Sequence, residues 1–301
     1  MLKGMKRAVL FWPRKETDMS MPRQAEIVKT TAPRITVSSL QDLACPKRYK
    51  RKRIDRIWEP RDAIYAVANG TAVHRVLRDV YEARRGWEVS LQHLEAQALD
   101  AVYATKYPVG FDRDGAVARV IASVRGFVDG DDEEAIEGTF DLERQGQFNV
   151  IDKRTGRVLF VASAKLDRTL IRASCPDRLV VRESKTTAQR ISLKEVFLQL
   201  WVARKMHPGC ASYAIEFDFL DADLRVVRET VEWETVQGQG PIILRQALRV
   251  IDATEYPAIP CESCTYCEMR DECTKLPAEE MDGEICQGLP AVDMREDEEL
   301  F

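Results

Sequence analysis

The spacing of apolar positions along the chain changes near residue 137. Before that point it is helical: Val73, Val76, Leu77, Val80 and Tyr81 fall at i, i+3, i+4, i+7 and i+8, predicting a helix that Asn69-Gly70-Thr71 opens. An earlier helix is predicted from Ser38 or Ser39 through Cys45, continuing into the basic run Lys47–Arg56, and residues 90–128 read as further helix with a break at 107–115. Residues 1–34 show no clear periodicity and are broken by Pro13, Pro22 and Pro33, which marks an extension. After residue 137, strands are predicted at Phe140–Leu142, Phe148–Ile151, Val158–Ile171 and Leu179–Glu183, separated by turn residues. Ser192 and Glu195 have capping-box spacing ahead of a helical face of Leu193, Val196, Phe197, Leu200 and Trp201. A hairpin fits 211–219 and 224–233 around Asp221-Ala222-Asp223, and a helix over 241–253 leads into a cysteine-rich segment. Helices first, then a mixed sheet with a packed helix, then a cysteine cap: the order predicts an α/β fold without internal repeats.

Composition narrows the class. At 301 residues, 45% hydrophobic and 31% charged, the chain has the make-up of a soluble globular protein with ample core. No apolar run approaches bilayer length, and Ala8–Trp12 is too short for a signal-peptide core, so a cytoplasmic location without membrane contact is expected. In such a reducing compartment, eight cysteines are metal ligands or thiols before they are disulfides. The net charge of −4 hides an asymmetry: residues 1–58 hold 15 Lys/Arg against 5 Asp/Glu, and 277–301 hold 9 Asp/Glu against one Arg. That split fits a nucleic-acid-facing basic end and an acidic tail, with two solvated ends as the plainer alternative.

The strand ending near Ile171 and the strand starting near Leu179 flank the turn Ala173–Asp177, and Asp167 and Glu183 are equidistant from Cys175 within it. Antiparallel pairing therefore sets the two carboxylates opposite each other. Lys185, two residues after Glu183, shares their face. Two carboxylates and an ammonium make a hard-oxygen cation site of the kind that serves phosphodiester hydrolysis. A solvated cross-strand charge group is the competing reading, but the apolar run Leu179-Val180-Val181 argues that Glu183 sits at the end of a buried strand. His74, one step off the apolar stripe of its helix, is a candidate further ligand.

Cys261, Cys264, Cys267 and Cys273 give C-x2-C-x2-C-x5-C, a strong metal signature that suits an iron–sulfur cluster, with zinc chemically possible. Either these four form a closed site, or Cys45 joins Cys264, Cys267 and Cys273 and clips the chain ends together, with Cys261 as the alternative ligand. Cys175, Cys210 and Cys286 read as ordinary thiols.

Taken in order, these pieces resemble the RecB-like nucleases of the PD-(D/E)XK superfamily, especially the iron–sulfur branch with the CRISPR-associated RecB-like exonucleases, the AddB nuclease domain and phage relatives. The resemblance runs through Ser38-Ser39-Leu40 and Cys45-Pro46-Lys47-Arg48-Tyr49, the G-x-x-x-H of Gly70–His74, Leu166-Asp167-Arg168, the E-x-K of Glu183-Ser184-Lys185, Gln199, and the triplet Cys264, Cys267, Cys273. It implies a restriction-endonuclease-like core: a mixed central sheet flanked by helices, an N-terminal helical region and a cysteine-ligated iron–sulfur cap. It implies Mg2+ or Mn2+ on His74, Asp167, Glu183 and the Ser184 carbonyl, Lys185 as the catalytic lysine, and Gln199 supporting the site or contacting DNA. A structural [4Fe–4S] cluster would lie on Cys45, Cys264, Cys267 and Cys273. Two departures stand out: the usual tyrosine after Gln199 falls on Ala203, with Trp201 close by, and the strand reads Arg-Glu-Ser-Lys where Asp-Tyr-Lys is commoner.

The expected organisation is an N-terminal extension (1–34), a nuclease domain (35–276; helical part 35–130, catalytic sheet 137–240, iron–sulfur segment 255–276) and an acidic tail (277–301). The expected activity is a metal-dependent DNA exonuclease on single strands or free ends, in recombination, repair, or CRISPR or phage DNA processing. Lys47, Arg48, Lys50, Arg51, Lys52 and Arg53 would track phosphates. A non-catalytic, cluster-stabilised nucleic-acid-binding module is the alternative, and the tail could dock a protein partner or simply be a disordered end.

Overall fold

The computed structural model describes residues 32–57, 65–83, 91–186 and 191–259, with Cys261, Cys264, Cys267, Met269 and Cys273. The predicted extension and acidic tail lie outside the described residues, apart from Ala32–Arg34. The architecture is mixed α/β. Strands β1 (Arg34–Thr36), β2 (Thr139–Ile151), β3 (Val158–Leu170), β4 (Arg178–Lys185), β5 (Ser212–Leu220) and β6 (Val226–Glu232) form one sheet. Its order is β1-β3-β4-β5-β6, with β2 also paired to β3. β1 joins β3 and β4 joins β5 in parallel; the other pairs are antiparallel.

β3 is the strand the others are built around. β2 lines one of its edges over nearly its whole length. The opposite edge is shared: β1 pairs at Val161–Ser163 and β4 at Arg168–Leu170. Between those two neighbours, Ala164–Asp167 have no ladder partner on that edge among the described residues. The sheet is therefore notched beside Asp167.

Helices α1 (Val37–Leu43), α7 (Leu193–Met206) and α9 (Gln239–Ile251) contribute to the larger core. There Leu40, Leu43, Val196, Phe197, Leu200, Ala247 and Val250 meet Phe160, Leu166, Leu179, Val181, Ile215 and Phe217 from the strands. Gly146 lets α7 lie close on β2, since a Cβ there would stand 2.4 Å from Val202 Cγ1 and 2.6 Å from Met206 Sδ. A second core joins α3 (Tyr65–Glu82), α4 (Leu91–Ala104) and α5 (Arg113–Asp129) through Ala72, Val73, Val76, Leu77, Val80, Ala98, Val120, Val124 and Phe127. These helices reach the sheet at Leu220, and Gly126 admits the Leu224 carbonyl, which a Cβ would meet at 2.2 Å.

Three expectations are corrected. α3 begins no later than Tyr65, so Asn69 is a buried helical residue rather than the opening of the helix. The predicted strands at 140–142 and 148–151 are one strand, because Arg144–Gln147 continue the ladder through Arg144↔Leu166 to Gln147↔Ser163. Ser192 is the N-cap of α7, but its side chain makes no cap hydrogen bond; Glu195 instead accepts from Gln41 Nε2 at 3.2 Å.

Candidate metal and catalytic site

The site forms at the notch, where β2, β3, β4 and α3 bring side chains together near the end of β3. The β3–β4 register pairs Arg168 with Arg182, Thr169 with Val181 and Leu170 with Val180. It is the register centred on Cys175, and it brings Asp167 level with Glu183. There the ladder gives way to side chains: the Asp167 amide donates to Glu183 Oε1 at 3.3 Å, and the Ser184 amide donates to Asp167 Oδ2 at 3.3 Å. Lys185 Nζ lies 3.5 Å from Glu183 Oε2. α3 runs past this edge, with Gly70 close to Thr186 Oγ1. One turn later His74 Nδ1 comes to 3.3 Å from Asp167 Oδ2, and a backbone hydrogen bond links His74 with Ser184.

The residue the sequence reading missed is Glu143. Leu142 pairs with Arg168 and Arg144 with Leu166, which leaves Glu143 between them, level with Asp167 on the other side of β3. Its φ of 51° is left-handed, a conformation uncommon for a residue with a side chain. Its Oε1 lies 3.9 Å from His74 Nδ1, and ligand atoms of His74, Glu143 and Asp167 all fall within 4.8 Å of one another. A detectable signal existed: Glu143 and Asp167 are equidistant from Thr155, in the Asp152–Arg157 turn of the preceding hairpin. Splitting β2 into two short strands concealed that register.

Electrostatics mark the site as one that wants a cation. Burial, reinforced by the neighbouring Asp167 charge, pushes Glu183 up to about 7. Burial likewise pushes Asp167 up to about 6; the ammonium of Lys185 opposes this and the charge of Glu143 adds to it. Burial also lowers His74, which favours the neutral ring that can donate a nitrogen lone pair. Burial works against the Lys185 ammonium, but Glu183 and Asp167 outweigh it and hold its pKa above the ordinary lysine value. One imidazole with clustered carboxylates is a donor set for a divalent ion such as Mg2+ or Mn2+. His74, Glu143 and Asp167 fit such an ion. Glu183, expected among the metal ligands, lies beside this group and is engaged by Lys185 and the Asp167 amide.

Gln199 is buried on α7. Trp201 belongs to the core, edge-on to Phe148 at 6.0 Å between centroids. The basic run is partly tied up in ion pairs. Arg48 and Lys52 are buried; with Arg53 they pair with Asp42, while Lys50 pairs with Asp55 at 2.7 Å. Lys47 and Arg51 are half-buried. Cys45 is buried at the start of helix α2 (Pro46–Tyr49). The cysteine segment passes this helix, since the Lys47 amide donates to the Pro257 carbonyl at 3.3 Å. Cys261 and Cys264 bring their sulfurs to 3.9 Å, while Cys175 is exposed and Cys210 half-buried.

Comparison with known proteins adds an independent line. Residues 34–274 match the family model of the PD-(D/E)XK nuclease superfamily. Among solved structures, the chain is similar to a putative exonuclease from Eubacterium rectale (11% identity, TM-score 0.46, covering 81% of this chain and 94% of that one). It is also similar to SSO0001 (16% identity, TM-score 0.31, covering 76% and 93%). No curated protein matches.

Proposed function

Because this chain belongs to the PD-(D/E)XK nuclease superfamily, we propose that it is a Mg2+- or Mn2+-dependent deoxyribonuclease acting on single strands or free ends. The observation that carries the reading is the meeting of His74, Glu143 and Asp167 beside the Glu183–Lys185 pair. When bound, a divalent ion supplies the charge that polarises a phosphodiester and acidifies water. His74, Glu143 and Asp167 would hold it, with the Ser184 carbonyl as a further oxygen. Lys185, kept cationic by Glu183 and Asp167, orients the attacking water and neutralises charge developing on the phosphate. Glu183 fixes that ammonium and keeps the strand end in place through the Asp167 amide. Gln199 supports the site from α7.

The cysteines serve the fold. We assign Cys45, Cys264, Cys267 and Cys273 to a structural [4Fe–4S] cluster, with Cys261 as the competing fourth ligand; the course of the C-terminal segment along α2 supports this. A cytoplasmic setting in recombination, repair, or CRISPR or phage DNA processing suits such an enzyme.

The test is a digest of end-labelled single- and double-stranded DNA with Mg2+ or Mn2+. Lys185→Ala should reduce cleavage by at least about 100-fold, the loss usual for a catalytic electrostatic group. Full activity in the variant would remove the catalytic assignment. Binding without cleavage by the wild type in either metal would leave a nucleic-acid-binding module.

A further inference from the structure

The mouth of the site contains a second ammonium. Lys165 stands two residues before Asp167 on β3, on the same face. Its side chain is 60% exposed, against 30% for Lys185. Its Nζ is paired with Glu143 Oε2, while the other oxygen of that carboxylate faces His74. One glutamate is therefore shared between a solvent-facing lysine and the candidate metal ligands. The positive charge of Lys165 also reaches Asp167, where it opposes the rise in pKa. Arg78, one turn beyond His74 on α3, stands on the same side and feels the charge of Glu143.

The two claims on Glu143 are unequal. An exposed lysine–carboxylate pair contributes little, whereas a divalent ion draws carboxylates into its coordination sphere with twice the charge. An ion bound through the other oxygen of Glu143 would neutralise the charge that holds Lys165 and repel its ammonium, so the lysine would be released. The freed ammonium would be a mobile point charge on a flexible stem, beside the place where the substrate backbone must lie. We propose that Lys165 is a metal-released phosphate contact: it holds Glu143 before the ion arrives, then binds a backbone phosphate of the substrate strand. This rests on the nuclease reading of the site.

Two measurements test it, both on full-length protein. Without DNA, Lys165→Ala should bind Mn2+ about three- to tenfold more tightly than wild type in isothermal titration, because an exposed competitor for Glu143 is gone. In a Lys185→Ala background that prevents cleavage, binding of a labelled single-stranded oligonucleotide is followed by anisotropy across a salt series. With Mn2+ present, Lys165→Ala should weaken binding and lower the salt slope by about 0.7, the signature of one lost phosphate contact on a single strand. Without metal the slope should not change. Lys165→Arg should preserve the slope with Mn2+. Unchanged Mn2+ affinity, or an equal loss of slope with and without metal, overturns the proposal. The titration needs no turnover, so a wild type that cuts nothing would be recognised separately.

Discussion

Asp167 and Glu183 hold negative charge against burial, and that cost has a sign. A carboxylate whose folded pKa is raised stabilises the fold below its ordinary pKa and loses that contribution as pH rises through the folded value. Here the window runs from the ordinary 3.8 and 4.5 to about 6 and about 7. His74, lowered from 6.5, acts in the opposite sense, contributing stability that is lost as pH falls below its ordinary value. Metal-free protein at pH 8 thus bears the full carboxylate cost. Glu183→Gln should raise its melting temperature there by about 3–6 °C, and the gain should vanish by about pH 4. The same variant should lose activity. Equal melting of variant and wild type at both pH values would count against burial as the cause of the shift.

At the scale of elements, the site depends on an ionic clasp on the far face of the same strands. Arg168 and Arg182 are paired in the β3–β4 register, each next to a site carboxylate, and both bind Asp131, just beyond the end of α5. Arg182 also donates to Glu216, Arg168 lies over the Tyr81 ring, and Tyr81 Oη donates to Asp131 at 3.1 Å. Asp131→Asn leaves two buried guanidinium groups short of charge, so a loss of about 3–5 kcal/mol is expected in denaturant unfolding. Asp79→Asn, at the exposed Arg78 pair, should change stability by less than about 1 kcal/mol. Similar losses for both would remove burial as the deciding factor. Elements also explain what could be read from the sequence. Hairpin symmetry about Cys175 located the Asp167–Glu183 pair because two strands and a short turn fix a register. The same symmetry about Thr155 could have located Glu143, but the polar stretch Arg144–Gln147 resembled a break. Composition records charge and not partners: Asp42, the acid of a nearby helix, pairs with three cations of the basic run, which no count of charges shows.

At the scale of the molecule, the cysteine segment and α2 lie more than 200 residues apart in sequence and meet through the Lys47–Pro257 hydrogen bond. A cluster anchored at Cys45 would close that loop, and constraint on the unfolded chain grows with loop length. Cys45→Ser and Cys264→Ser should each abolish visible absorbance in anaerobically purified protein and lower its melting temperature. Visible absorbance unaffected by Cys45→Ser would move the fourth ligand to Cys261, and colourless zinc-loaded wild type would replace the cluster with zinc. The α/β class was legible because apolar period changes with element type. The notch was not, since it arises where two strands far apart in sequence share one edge of β3.

That shared edge also bears on exchange with solvent. The amides of Arg168, Thr169 and Leu170 lie where β2 and β4 both flank β3, whereas the Asp167 amide is held by a carboxylate side chain. In deuterated buffer, Glu183→Ala should expose that one amide while its three successors remain protected. The innermost strand of the sheet would then have its least guarded proton next to its chemistry, and isotope uptake at a single position would report whether the side chains across the notch are in place.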